Sequence, residues 1–481
     1  MGVYKQFAKE TFIYGLASVL PRVVMFLLVR LHTDVLPPAA YSVNTKFYVW
    51  IAFFNVLFTY GMETAFFRFF SQMDDKKRVL RTAFTSLLLT TTLFFALLWA
   101  LEKPLLHLMG VDTDIFRVFS FVLFFDTLLV VPYAYLRVTH RPGRFLFYKL
   151  LNSGIFALGN LVFLLWFVRW WGGGDAMRWY LSHPKVYYIF LSNFIASGLT
   201  FLAFLPVLRH IRPGIDFGLW KRMFRYGYPV MIAGVLYIIN ENFDKLALER
   251  LAGKEVMGAY SAVYKLGVFM VLFTTAFRLG AEPFFFTRSK HKDARKNYAV
   301  IMSAFTAVAG LLLLGVMTFL QPVVGLLIHN RAYWKALPIV PVILTAYLFF
   351  GIYYNLSAWY KLTDRTHLGA WLSLLGAVIT VAGNVWGIPR YGMMASAWAT
   401  LGAYGSMSLL SFLLGRRYYP VPYATAKIGL YVLVAAGGGF AMFHLFYHQW
   451  GIRLVILILY LLLIWRSEPE LRALVYSKLK R

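Results

Sequence analysis

The sequence predicts an all-α polytopic membrane protein of about 14 transmembrane helices, arranged as two pseudo-symmetric six-helix lobes plus a C-terminal helix pair. Three observations predict it. Apolar residues make up 60% of the 481-residue chain and charged residues only 14%, with a mean hydropathy of +0.64. Soluble domains are about 45–50% apolar and about 25% charged. The apolar residues fall into runs of about 20 or more, the length needed to cross a bilayer. Finally, a segment of 28 residues recurs with a constant offset. This composition excludes a soluble multidomain enzyme and a disordered or collagen-like chain. The chain has no cysteine, which excludes disulfides, thiolate metal sites and cysteine nucleophiles.

In chain order the spans lie near 8–31, 41–68, 79–101, 115–136, 145–168, 186–208, 227–249, 256–283, 297–320, 335–360, 368–388, 393–414, 425–446 and 451–466. The first is too long for a signal peptide, contains Arg22, and is followed by no small-residue cleavage site. The second carries Lys46, and the fourth carries Asp126 and Pro132. The seventh is the most polar, with Asn240, Glu241, Asn242, Asp244, Lys245 and Glu249. The last is short enough to be tilted or partly interfacial. Pairs such as Trp179-Tyr180 and Tyr187-Tyr188 fit interfacial aromatic belts.

The chain holds 48 Lys+Arg against 20 Asp+Glu, a formal net charge of +28. With the N-terminus in the cytoplasm, 31 of the 48 fall in cytoplasmic loops and 11 in the opposite loops, where the loop at 137–149 is counted to include Lys149 although it overlaps the start of the fifth span. The positive-inside rule therefore places both termini in the cytoplasm, in a multi-pass protein of the cytoplasmic membrane. The surplus charge is mostly topological, beside anionic lipid, and nucleic acid is not an expected partner.

Residues 40–67 and 259–286 share 11 of 28 positions at an offset of 219 without a gap. The matches include Lys46 with Lys265 and Glu63 with Glu282, which carry weight because ionisable residues in spans are rare. Tyr14-Gly15 and Tyr226-Gly227 open the preceding spans. The repeat unit is therefore six helices. An even number makes the repeat parallel, about an axis along the membrane normal. The chain divides into an N-lobe at 1–210, a basic linker at 211–225, a C-lobe at 226–415, and a last section at 416–481 with spans thirteen and fourteen and a cytoplasmic tail.

These features resemble the multidrug/oligosaccharidyl-lipid/polysaccharide (MOP) exporter superfamily, and within it the polysaccharide-biosynthesis (Wzx-type) flippase branch. The resemblance covers essentially the whole chain. Its most specific residues are Tyr226, Gly227, Pro229, Asp244, Gly258, Tyr260, Ser261 and Lys265, in a Tyr-Gly-x-Pro helix start followed by an Asp and then Gly-x-Tyr-Ser-x-x-x-Lys. Ala40–Ser42 departs from the Glu-Tyr-Gly that the family usually has there. The resemblance implies no enzyme and no cofactor. It implies a flippase that moves a polyprenyl-diphosphate-linked oligosaccharide, a repeat unit of O-antigen, capsule or exopolysaccharide, by alternating access. Its partners would be that lipid-linked oligosaccharide, membrane lipids and other polysaccharide-assembly proteins. Same-fold alternatives are a multidrug (MATE-like) exporter and a lipid II flippase. A membrane glycosyltransferase or polymerase is more remote, because the longest outer loop, about 169–185, has Asp175 as its one acid.

Under that resemblance the charges inside spans acquire candidate roles. Arg22, Lys46 and Lys265 are the cavity cations expected to hold a diphosphate, with snorkelling or structural pairing as the alternative. Asp244 and Glu241 are expected to balance charge, Glu241 pairing with Lys245 one turn on and Asp244 reaching Lys265. Asp244 is also the candidate site for a coupling proton or Na⁺. Glu63, Glu282 and Arg278 are expected at the inner mouth as gate residues. Asp126 has no assigned role. No metal-ligand spacing is present, and spans thirteen and fourteen are candidates to line a groove for the polyprenyl tail.

Overall fold

The computed structural model describes residues 2–167, 174–209, 211–288 and 293–468. All regular structure among them is helical. Thirteen helical stretches are long and apolar enough to cross a membrane. The remaining span expected from the sequence, 227–249, lies within a helix at Phe217–Ala252 whose charged residues separate it from the others. The chain forms two compact units, Met1–Leu246 and Ala247–Arg481.

The first unit contains α1 (Gly2–Val35), α2 (Pro38–Thr59), α3 (Met62–Gln72), α4 (Lys76–Ala100), α5 (Glu102–Met109), α6 (Thr113–Val138), α7 (Pro142–Leu161), α8 (Gly174–Leu181), α9 (Lys185–Leu208) and most of α10 (Phe217–Ala252). At its centre is α6, which packs on α2, α3, α4, α7 and α9. Two-thirds of its apolar window, 67%, is buried. A buried helix has no lipid-facing stripe, and α6 is accordingly apolar all round. The turn between α6 and α7 spans only residues 139–141, with His140 at φ 51°. Lys149, counted from the sequence in a loop at 137–149, therefore stands inside α7.

The second unit contains α11 (Lys254–Tyr264), a short 3₁₀ turn at Lys265–Gly267, α12 (Val268–Arg288), α13 (Ala294–Thr318), α14 (Leu320–Leu327), a 3₁₀ segment at Arg331–Ile339, α15 (Val340–Leu356), α16 (Ala358–Leu362), α17 (Thr366–Tyr391), α18 (Met393–Tyr418), α19 (Thr425–His444) and α20 (Trp450–Ser467). Its central helix is α15, packed on α12, α13, α18 and α19, and the stretch Arg331–Leu362 is 83% buried. The central helix is thus the fourth span of the repeat in each unit.

The internal repeat extends beyond the matched sequences. α4 and α5 are 25 and 8 residues long, and so are α13 and α14, each pair bent at a single residue, Leu101 or Phe319. The copies differ in where span two breaks. In the first unit Tyr60 and Gly61 adopt left-handed conformations, φ 37° and 74°, and end α2. In the second, the equivalent region runs through α12, and the chain changes pitch earlier, at Lys265–Gly267.

The Gly61 break has a packing reason. The backbone of α10 at Gly227 lies directly against it, and a Cβ on Gly61 would overlap the Gly227 carbonyl. A Cβ on Gly227 would meet the Tyr60 carbonyl oxygen at 2.7 Å. The Tyr60 side chain is buried and donates to Ser86 Oγ at 3.2 Å, which holds the αL residue in place. The segment before α10 is also fixed rather than loose. Gly214 N–H donates to Thr85 Oγ1 at 3.1 Å and Asp216 N–H to Thr82 Oγ1 at 3.3 Å.

One tyrosine in each of two aromatic pairs is buried, whereas Trp179 is exposed. Tyr180 and Tyr188 are 4% and 0% exposed, and their hydroxyls donate to the Phe163 and Tyr180 carbonyls at 2.8 and 2.7 Å. They pack α8 and α9 against α7 instead of facing a membrane interface.

The glycine contact yields a test. Gly61→Ala and Gly227→Ala should each destabilise the protein by more than about 2 kcal/mol, through positive-φ strain or overlap. Gly143→Ala, whose Cβ would meet nothing within 4 Å, should not. Thermal unfolding in detergent reads the difference, and wild-type midpoints for all three would show the contact to be dispensable.

Candidate functional site

In the first unit most in-span charges have local partners. Lys46 is 4% exposed and its ammonium donates to the Gly110 carbonyl at 2.8 Å. Gly110 is the αL cap of α5, so Lys46 places a cation on a helix C-terminus, where unpaired carbonyls and the dipole both favour positive charge. In this conformation the ammonium is turned into the protein. Arg22 follows Pro21 on α1 and is exposed.

On α10, Lys245 reaches back to its neighbour Asp244. Lys245 Nζ is 3.0 Å from Asp244 Oδ1 and 2.6 Å from the Glu241 carbonyl, with side-chain exposures of 9% and 2% for the Lys and Asp. The adjacent residues leave the helix about 100° apart, but the four-carbon lysine stem closes that angle. The same Oδ1 accepts from Lys245 N–H at 2.8 Å. Lys265 begins the 3₁₀ turn of the second unit and is half-buried.

Glu63 stands in the first turn of α3 and accepts from Arg137 Nη1 at 3.1 Å, an ion pair whose members are each nearly half exposed. The Arg137 guanidinium also lies 4.7 Å from the Phe67 ring. Solvent screening keeps such a pair within about 1 kcal/mol. The Glu282 side chain lies outside the described residues.

Asp126, unassigned from the sequence, accepts from Ser197 Oγ at 2.7 Å across α6 and α9. Close by on the same unit, Lys149 Nζ sits 4.1 Å from the Tyr133 ring centroid. The sequence signal for Lys149 was hidden by its assignment to a loop.

The second unit contains three adjoining pockets. Arg278, on α12, donates to the Tyr354 hydroxyl at 3.2 Å and lines a cleft with Lys361, Asn355 and Thr274. Asn355 is 5% exposed and donates to the Gly351 carbonyl, while its Oδ1 has no hydrogen-bond partner among the described residues. This cleft shares Phe285, Asn355 and Ala358 with a second pocket bordered by Tyr298 and Tyr419. That pocket in turn shares Met302 and Tyr423 with a groove of about 360 Å³ between α13, α15, α18 and α19. Its walls are almost wholly apolar, including Phe349, Ile352, Phe412, Ile428 and Leu433. A small cationic cleft therefore lies next to an oily groove within one unit, the two separated by a pocket with room for about 10 Å³. The sequence reading identified Arg278 and the groove helix but missed Lys361 and Asn355. The signal for Asn355 was a single amide in an otherwise apolar span.

The groove helices are held at both ends. Arg453 on α20, 1% exposed, donates to the Met317 carbonyl at 3.4 Å and to Gln321 Oε1 at 3.1 Å. At the other end Lys427 pairs with Glu468 at 2.7 Å, and the Tyr431 hydroxyl donates to Glu468 at 3.0 Å. Tyr460 packs its hydroxyl against Gly310 of α13, where a side chain would leave no room.

The sequence matches the protein family described as "Polysaccharide biosynthesis protein" over residues 7–278. No curated protein matches it. Among solved structures it is similar to the lipid II flippase MurJ in an inward closed conformation, with a TM-score of 0.70 and 14% identity over 98% of this chain and 100% of that one. It is also similar to an inward-facing multidrug-resistance MATE transporter of the MOP superfamily, with a TM-score of 0.62 and 13% identity over 87% and 98% of the chains. A MOP-superfamily transporter from Pyrococcus furiosus, whose binding pocket is described as reversed in polarity, gives 0.59 and 14% over 86% and 94%. At these identities the likeness establishes the fold.

The Asp244–Lys245 geometry predicts a double-mutant outcome. Lys245→Met removes the cation beside a buried carboxylate and should cost about 3–5 kcal/mol. Adding Asp244→Asn should recover most of that loss. Thermal unfolding of the two single variants and the double variant measures the coupling, and strictly additive effects would show that the pair does not interact.

Proposed function

Because the chain belongs to the polysaccharide biosynthesis protein family, we propose that it is a flippase for a polyprenyl-diphosphate-linked oligosaccharide in the cytoplasmic membrane, with both termini in the cytoplasm. The observation that carries the reading is the adjacency, in the second unit, of the cleft of Arg278 and Lys361 to the apolar groove along α19, the two linked by shared lining residues. The substrate class has the same sequence of chemistries. Its diphosphate wants guanidinium and ammonium donors. Its sugar hydroxyls suit an unused acceptor such as Asn355 Oδ1. Its isoprenoid chain wants an apolar surface that excludes water.

The charge assignments follow from chemistry and burial. Arg22, exposed on α1, is assigned to the head group in the first unit. Lys265 is assigned the corresponding role on the second unit, by its place in the repeat. Lys46 joins them only in a conformation that releases Gly110. Asp244, already balanced by Lys245, is the carboxylate on which a coupling proton or Na⁺ would act, with Glu241 one turn away. Glu63 and Arg278 guard the same basic end of their units, and Glu282 is assigned with them by the repeat. The cycle alternates exposure of the head group between the two sides of the membrane while the tail stays in lipid or groove. These steps need no bound cofactor.

The second reading is a lipid II flippase, favoured by the similarity to MurJ over nearly the whole of both chains. It uses the same diphosphate chemistry, and rescue of a strain lacking its own lipid II flippase separates the two. A MATE-like drug exporter fits less well, since its often cationic substrates would meet Arg278 and Lys361.

Reconstituted protein with a fluorescent polyprenyl-diphosphate-linked sugar provides the test. Arg278→Gln/Lys361→Gln should slow translocation at least about tenfold, the effect of losing charge-assisted hydrogen bonds. Gly429→Leu, built into open space in the groove wall, should slow it without changing insertion. Unchanged translocation by both variants would remove this path from the transport route.

A further inference from the structure

The first unit carries a second basic site that the transport path does not use. A cavity of about 670 Å³ opens where α4 begins, walled by the ends of α6 and α9. Its lining has four basic side chains, Lys77, Arg78, Arg81 and Arg212, and one acid, Asp75. The acid is already committed: Asp75 Oδ1 caps α4 by accepting from Arg78 N–H at 2.9 Å. Arg78 is committed as well, through its ion pair with Asp216. Asp216 is held ionised, its carboxyl lowered from the ordinary carboxylate value first by Leu219 N–H and then by Arg78. Lys77, Arg81 and Arg212 remain, and among the described residues no carboxylate pairs with them.

Three features separate this cavity from an ordinary solvated basic face. One wall is apolar, formed by Leu80, Val207 and Ile211 with the Tyr135 ring, and Leu80, Tyr135 and Val207 belong to the apolar stretches of α4, α6 and α9 that are long enough to cross a membrane. The wall bearing Arg81 is braced: Gly214 lies so close to the Arg81 stem that a Cβ would stand 3.1 Å from it, and its N–H is bonded to Thr85. The amide groups of the first turn of α4 add the positive end of a helix dipole. Cations clustered beside an apolar wall at a membrane edge fit an amphiphile with an anionic head.

We propose that this cavity is a seat for a lipid-borne phosphate, with Lys77, Arg81 and Arg212 on the phosphate oxygens and the chain along Leu80, Val207 and Ile211. The phosphate can belong to an acidic phospholipid of the bilayer or to a polyprenyl diphosphate, and the site recognises the chemistry the two share. The inference does not rest on the flippase reading, because binding is measured without transport.

The experiment uses full-length protein in detergent, titrated separately with phosphatidylglycerol, polyprenyl diphosphate and inorganic pyrophosphate, with bound lipid read by native mass spectrometry. Arg81→Gln/Arg212→Gln should weaken binding of the lipids about tenfold. Lys221→Gln/Arg222→Gln, exposed on α10 and outside the cavity lining, should keep wild-type affinity. Arg81→Lys/Arg212→Lys should retain most of it, and matching elution profiles establish that the variants fold. Equal losses for both lipids support a general lipid-phosphate seat, and a loss confined to polyprenyl diphosphate supports a seat for that lipid. Wild-type binding by Arg81→Gln/Arg212→Gln, an equal loss in the α10 control, or displacement of lipid by equimolar pyrophosphate would each overturn the proposal.

Discussion

A charge carried into hydrocarbon must bring its partner with it, and this constraint organises the molecule. Insertion of Lys, Arg or Asp at mid-membrane costs roughly 2.5–3.5 kcal/mol on translocation scales. The chain meets that cost in three ways. Lys245 folds back onto the preceding residue's carboxylate. Lys46 and Arg453 use backbone carbonyls at helix bends and ends, Gly110 and Met317. Asp126 takes a serine hydroxyl from the facing helix. Each solution also joins separate stretches of chain, except the first, which stays within α10. Lys46 ties α2 to α5, and Arg453 ties α20 to α13. The polar groups therefore serve as fasteners between apolar helices, which lack a hydrophobic drive to associate within lipid.

This explains which parts of the architecture were legible in the sequence. Spans are read from composition, and composition is what the bilayer selects, so thirteen of them reappear as apolar helices of sufficient length. The remaining one, α10, was recognised through its polar residues and its position in the repeat. Partner choice was less legible. A helical wheel separates Asp244 from Lys245, but a wheel places Cβ atoms and a lysine ammonium lies four carbons further out. Lys149 was misplaced because proximity to Arg141 and Arg144 made it look like part of a loop, whereas the turn closes in three residues. Tyr180 and Tyr188 looked interfacial because tyrosine favours interfaces, yet their hydroxyls found backbone carbonyls and could be buried.

The repeat shows how a duplicated plan is specialised. The bent pairs α4–α5 and α13–α14 keep the same lengths, and the fourth span of each unit is the buried axis. The departures are where the units acquire distinct tasks. In the first, the αL pair Tyr60-Gly61 ends α2 so that Gly227 of α10 can approach backbone to backbone. In the second, α12 continues through the equivalent position and carries Arg278 to Tyr354. Lys46 and Lys265, identical in sequence, have diverged in setting: one is buried on a helix cap, the other half-buried at a 3₁₀ turn.

The appended pair α19–α20 completes the argument, because the repeat alone would leave α13 and α15 facing lipid along one edge. Covering that edge tightly would have produced only a larger bundle. Instead α20 is pinned to α13 by Arg453 and Tyr460, while α19 is tied to α20 by Lys427, Tyr431 and Glu468 at one end. Those ties fix both helices without filling the space between α19, α15 and α18. Gly429 keeps that wall open, as a glycine with nothing within 4 Å of its missing Cβ. An apolar groove held open by polar fasteners at its ends presents a surface that water wets unfavourably and that a lipid chain can fill. Under the proposed function, the same property suits it to a chain that arrives attached to a charged head.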